Sequence, residues 1–194
     1  MRNRKLQFHI SGTVLLAKGY SFSMNANLRL ARDEDSAGVI QLIRKIFEEY
    51  ENCFLDVERE EPKLLKPASS YPRFWVVEQQ DAIVGCIACG SYPRASRDKQ
   101  PHAPQAESYF ELQKLYVAAT MRGKGWGRRL IEVVEQEAVR MGYSQIELWS
   151  DTRFETAHHV YQALGYDQTG RIRELDDISQ TVEYHFLKNL PVEG

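Results

Sequence analysis

The chain has 194 residues, 43% of them hydrophobic, enough to bury one full core but too few for two sizeable domains. Its formal net charge of -2 argues against a general nucleic-acid binder, and no stretch reaches the ~20 apolar residues of a membrane-spanning helix. Three cysteines, Cys53, Cys86 and Cys89, lack the density of a secreted disulfide scaffold and point to a reducing, cytoplasmic setting.

Residues 1–24 carry bases and no acid, but "ISGTVLLAKGYSF" is too broken for a secretory signal, so this stretch is expected to be an appendage to a single domain over 25–194. "NLRLAR" then reads as a strand. "DEDSAGVIQLIRKIFEEY" reads as an amphipathic helix with acids in its first turn and an apolar stripe of Val39, Leu42, Ile43, Ile46 and Phe47. "RFWVVEQ" and "AIVGCIACG" form a hairpin around Gln80 and Asp81. The C-x-x-C inside the second strand reads as buried packing, because residues three apart on a strand face opposite ways and no second ligand pair follows. No metal site is expected.

"SYPRASRDKQPHAPQAE" has the composition of an exposed loop, followed by the strand "SYFELQKLYV". The helix "GRRLIEVVEQEAVRMG" comes next, with Gly127, Leu130, Ile131, Val134, Ala138 and Met141 on one stripe and Gly142 as its stop. "SQIELWS" reads as a strand, "RFETAHHVYQALG" as a helix, and "TVEYHFLK" as a last strand able to pair at an edge. Strands alternating with helices indicate an α/β domain.

Between strand and helix stands "MRGKGWGRR". Glycines at alternate positions among basic side chains, at a helix N-terminus, make a seat for a phosphate group. A Walker loop is excluded, because Lys124 is followed by Gly125 and no hydroxyl is placed for Mg²⁺. A dinucleotide fold fits poorly: five residues separate strand and glycines, and too little chain follows to complete it, although Glu147 lies where a ribose-binding acid would stand.

Arg122-Gly123-Lys124-Gly125-Trp126-Gly127, after a strand ending in Leu115, Tyr116 and Val117, resembles the coenzyme A signature of the GNAT superfamily of acetyl-CoA-dependent N-acetyltransferases. Ala157, Tyr161, Gly165 and Tyr166 match that family's second signature, and the resemblance runs from about Leu28 to Leu187. It implies a mixed, mainly antiparallel twisted sheet with a central splayed strand pair, flanked by helices. The pantetheine arm would lie along Leu115–Val117. The diphosphate would rest on the glycine turn, with Arg122, Lys124 and Arg128 adding charge.

The resemblance also implies roles. Tyr161 corresponds to the tyrosine that protonates the departing thiolate, although Phe154, Ala157, Tyr161 and Leu164 also make an apolar stripe in which a tyrosine could simply be core. Glu111 corresponds to the carboxylate some relatives use as base, with Gln113 on the same face, and His158 and His159 are weaker candidates that read more readily as packing or surface residues. Phe154 departs from the pattern, which has an asparagine there that helps hold the cofactor; Thr152, Arg153 or a backbone group would take its place. The implied reaction is direct attack of a small molecule's primary amine on the thioester, with acetyl-CoA as cosubstrate. The alternative is a catalytically idle acyl-CoA-binding module on the same fold. Residues 48–61 hold seven acids, Glu48, Glu49, Glu51, Asp56, Glu58, Glu60 and Glu61, against Arg59, which suggests a cationic acceptor or simply a solvated surface. No membrane or nucleic-acid partner is implied, and a homodimer is left open.

Overall fold

The computed structural model describes residues 26–93 and 108–191. The N-terminal appendage and the loop across 94–107 lie outside them. Seven strands form one sheet: β1 (Asn27–Leu30), β2 (Arg73–Gln79), β3 (Ala82–Pro93), β4 (Ser108–Val117), β5 (Gln145–Asp151), β6 (Asp167–Glu174) and β7 (Val182–Asn189), ordered β1-β2-β3-β4-β5-β7-β6. Only β4 and β5 run parallel, joined by the crossover helix α3 (Trp126–Arg140); every other neighbouring pair is antiparallel.

One face of the sheet carries α1 (Ser36–Phe47) and the short α2 (Pro67–Ser70). Val39, Leu42, Ile43 and Ile46 of α1 bury against Phe74, Val76, Cys86 and Ala88. The expected helix start is displaced, because Asp33–Asp35 form a separate 3-10 turn. Asp35 accepts hydrogen bonds from both terminal guanidinium nitrogens of Arg29 and from the backbone N–H of Arg32, which fixes the entry to α1. The other face carries α3 and α4 (Glu155–Ala163), packed through Leu130, Ile131, Val134, Ala138 and Tyr161 onto Ile87, Cys89, Phe110, Ile146, Leu148 and Phe186. Cys86 and Cys89 therefore enter opposite cores, as their spacing predicts. All three cysteines are free and buried, and burial pushes the Cys86 and Cys89 thiols up to about 12.

The β2–β3 hairpin turns at Gln80 and Asp81, both at positive φ (51° and 61°), the requirement of a two-residue turn matched to strand twist. Two readings are corrected. The last strand is not at the edge: β7 lies between β5 and β6. The edge belongs to β6, "DQTGRIRE", whose one large apolar residue, Ile172, is 60% exposed, so no hydrophobic alternation marks it. In α3, Met141 is likewise exposed and stands just past the helix end.

Candidate active site

The decisive feature is where β4 and β5 part. They pair only at Phe110–Ile146 and Glu111–Glu147, so Leu112–Val117 have β3 on one side and no β5 partner on the other. A bulge reinforces the divergence: against β3, the register slips by one residue between Gln113 and Tyr116, with Lys114 at φ +54°. Here backbone polar groups stand open beside a cavity of about 430 Å³ lined by Leu112–Tyr116 of β4, Trp149–Asp151 of β5, and Phe154 and Tyr161 from the α4 region.

Beyond β4, a single turn (Ala119–Met121) leads to the glycine segment. Gly123 and Gly125 have φ of +71° and +81°, which favours glycine, and a Cβ at either would meet nothing within 4 Å. The turn thus presents bare backbone to open space. Gly125 is the N-cap of α3 and supplies no side-chain cap, so the first-turn N–H groups remain available to an anion. Lys124 and Arg128 are exposed beside them. Arg122 is already engaged: its two terminal nitrogens donate to Glu49 at 2.5 and 2.8 Å, and Nε donates to Val117 O at 3.0 Å. It ties the C-terminal end of α1 to the turn. Trp126 is partly buried against the core and carries Arg129 over its ring.

Tyr161 has both characters that the sequence allows. Its ring packs on Tyr166 and Phe186 (centroids 5.9 and 5.5 Å), and it also lines the cavity at the splay. Burial raises its pKa, partly offset by a hydrogen bond with Ser150, so the phenol stays protonated at neutral pH. Ser150 Oγ also lies 3.2 Å from His158 Nε2, which in turn reaches Asp151 O at 3.0 Å. Burial lowers the His158 pKa, leaving a neutral ring that braces α4 against β5. His158 is a packing residue.

Phe154 sits in an aromatic group with Tyr50, Phe47 and Tyr116 (4.8, 6.0 and 6.5 Å), and Phe47, Tyr116 and Phe154 form a wall of the cavity. Arg153 makes a fork with Asp151, with nitrogen–oxygen distances of 2.7 to 3.0 Å, and its guanidinium also donates to Glu51 O, Asn52 O and Thr181 Oγ1. Its guanidinium is thus committed to tying loops together.

Beside the cavity lies a wider groove of about 1090 Å³, floored by Glu111, Gln113, Glu147 and Trp149 and flanked by Arg171, Arg173 and Glu183. Glu111 is buried, 3% exposed, at its floor. Glu147 and Trp149 join it there, with His185 buried behind them; the sequence reading did not bring them together, since only the order β4-β5-β7 makes them neighbours. The loop after α1 closes one side. Phe54 N donates to Ser179 Oγ (2.8 Å), and Ile178 N donates to Glu60 Oε1 (2.7 Å), so this loop is fastened to the β6–β7 turn. Of the seven acids between 48 and 61, Glu60 and Glu61 line both spaces, with Glu61 paired to Lys114.

Residues 41–166 match the model of the acetyltransferase (GNAT) family. The chain belongs to that family. The GNAT match includes the glycine turn, the splay and Tyr161, and stops short of β6 and β7. Among curated proteins, the chain is 29% identical over 126 residues to "Probable N-acetyltransferase family 8 member 5" of Mus musculus, covering 63% of this chain and 52% of that protein. It is 28% identical over 133 residues to N-acetylaspartate synthetase of Danio rerio, covering 68% and 42%. The chain thus spans about half the length of the curated relatives it matches. The fold is shared with a GNAT acetyltransferase of Staphylococcus aureus Mu50 (TM-score 0.67, 19% identity, 86% of this chain and 99% of that one). It is also shared with Chaetomium thermophilum Naa20 in complex with a bisubstrate analogue (TM-score 0.63, 23% identity, 84% and 86%).

Proposed function

We propose that this GNAT chain is an acetyl-CoA-dependent N-acetyltransferase that modifies a primary amine of a small molecule. The observation that carries it is the splay of β4 from β5 immediately before an open glycine turn at a helix N-terminus. Leu115, Tyr116 and Val117 would line the pantetheine arm, and Gly123, Gly125, Trp126 and Gly127 would offer N–H groups to the diphosphate, with Lys124 and Arg128 adding charge. Arg122 reaches the same seat once it exchanges Glu49 for phosphate.

When bound, acetyl-CoA supplies an already activated thioester, so the chain's own tasks are positioning and two proton movements. Glu111, at the groove floor, takes a proton from the incoming ammonium. Tyr161, a phenol protonated at neutral pH, gives one to the departing sulfur. The carbon–nitrogen bond forms as the carbon–sulfur bond breaks, the second proton lost by nitrogen restores the Tyr161 phenol, the proton on Glu111 passes to solvent, and no acyl-enzyme is needed.

The acceptor reading is a small cationic amine. Six acids line the cavity, Glu60, Glu61, Asp151, Asp176, Asp177 and Glu183, against Lys114. Lys114, Arg153 and Arg173 neutralise three of them, which leaves a negative balance. The fastened loops narrow access in a way that suits a small molecule better than a long chain. The relatives' names do not decide this point, since one is an N-acetylaspartate synthetase and a NatC complex of the same fold was solved with a Gag peptide and CoA. Release of free CoA thiol from acetyl-CoA across a panel of small amines, polyamines, amino acids and peptides tests the reading. Release with a small cationic amine supports it; silence across the panel, with acetyl-CoA still bound, identifies an idle acyl-CoA-binding module instead.

A further inference from the structure

The last register pair before the splay sets Glu111 beside Glu147, on strands about 4.8 Å apart, and both carboxylates face the wide groove. Like charges on adjacent strands repel, so this pairing needs compensation. Part of it comes from β7. His185 is buried, with 2% of its side chain exposed; Thr169 Oγ1 lies 2.8 Å from Nδ1, and Nε2 lies 3.4 Å from Glu147 Oε2. That distance is within ion-pair reach, yet Nε2 makes no hydrogen bond among the described residues. In the tautomer where the Thr169 hydroxyl donates to Nδ1, the ring proton resides on Nε2, on the side of Glu147 and outside hydrogen-bond geometry with it. Trp149 stacks on the same ring at 4.7 Å and is itself covered by Arg171 and Arg173, which prevents the imidazole from turning away.

We infer that Glu147 is a second carboxylate of the acceptor-amine seat, and that His185 is the positioning residue that aims it. This rests on the N-acetyltransferase reading and adds a binding group and its support to the base, Glu111. An ammonium has three N–H donors; two flanking carboxylates hold it, and once Glu111 takes one proton, Glu147 keeps a second N–H while the freed lone pair turns to the thioester. The charges around the seat are Glu111 and Lys114 from β4, Glu147 from β5, Glu183 from β7, Arg171 and Arg173 from β6, and Glu60, Glu61 and Lys63 from the loop after α1, with Lys114 paired to Glu61 and Arg173 to Glu183. The substrate class is therefore a primary ammonium.

The test is an NMR titration of the full chain with n-butylammonium chloride, beside calorimetry with acetyl-CoA as a check on folding. The wild type saturates, while Glu147→Gln and His185→Leu each weaken binding by at least about fivefold with acetyl-CoA affinity unchanged. His185→Gln, which keeps a donor near the Nε2 position, stays within about twofold of wild type. The double variant Glu147→Gln/His185→Leu binds no more weakly than Glu147→Gln alone, because His185 acts through Glu147. Wild-type-like binding by Glu147→Gln, absence of saturation in the wild type, or His185→Gln as weak as His185→Leu overturns the assignment. Should His185→Leu fail to fold, Glu147→Gln and His185→Gln still decide it. Thiol release on the same proteins separates the two levels. No turnover with Glu147-dependent binding overturns the transferase reading alone, and turnover with binding indifferent to Glu147 overturns the seat alone.

Discussion

Replacing Tyr161 by phenylalanine removes one oxygen from the wall of the splay and leaves everything else of that side chain in place. The ring keeps its packing on Tyr166 and Phe186. The structural cost is then the hydrogen bond with Ser150, on the order of 1 kcal/mol, which in a domain of this size lowers Tm by about 2–4 °C. The catalytic cost is of a different size: loss of the general acid lowers kcat by about 10²-fold or more, equivalent to about 2.7 kcal/mol of transition-state stabilisation. KM for acetyl-CoA should hardly change, because the ring still fills its place. Burial also fixes the sign of a pH effect. Tyr161 titrates above its unfolded value of about 10, so its stabilising contribution is complete below that pH and is lost as pH rises beyond it. Alkaline unfolding of the wild type should therefore start above pH ~10 and be shallower in Tyr161→Phe. Steady-state kinetics and thermal melts separate the two costs. A variant with kcat within about threefold of wild type would make Tyr161 a core residue only and refute its role at the sulfur.

Three further outcomes are expected. Gly125→Glu, which puts a strained φ and a negative charge at the phosphate seat, abolishes acetyl-CoA binding by calorimetry while circular dichroism stays native, since a Cβ there meets nothing within 4 Å. Arg153→Ala leaves the carboxylate of Asp151, 8% exposed, without its partner and frees both loops, costing about 3 kcal/mol and roughly 6–12 °C in Tm; a loss below 2 °C would mean that the fork contributes nothing. For a cationic acceptor, kcat/KM falls as added salt shortens the Debye length to about 8 Å and below while kcat holds; indifference to salt returns the acidic residues around the cavity to ordinary surface.

Local patterns in the sequence carried much of the fold. β2 has the expected bounds, Arg73–Gln79, because strong alternation and a two-residue turn mark both ends, and α3 begins where clustered glycines have no helical reason to be. β6 was invisible because an edge strand takes its order from pairing with β7 rather than from burial, and its only long aliphatic, Ile172, faces outward. The bulge at Lys114 was equally hidden, since nothing in a lysine announces a positive φ. The glycine turn is legible in its spacing, whereas the splay strand and the role of Tyr161 came only through the resemblance to the GNAT family. Glu147 and His185 could not, because they meet Glu111 only through a strand order that no local window contains. Arg122 shows a different limit: its motif position is legible, its bidentate hold on Glu49, 73 residues away, is not.

The most direct measurement follows acetyl-CoA labelled at the carbonyl carbon by NMR, in the presence of the full chain and the best amine from the panel. The account predicts that the thioester carbonyl signal disappears as an amide carbonyl signal on the small amine grows in equal amount, with no labelled protein and no free acetate beyond the uncatalysed background. A thioester signal that persists, or label that passes into acetate or onto the protein itself, would contradict it.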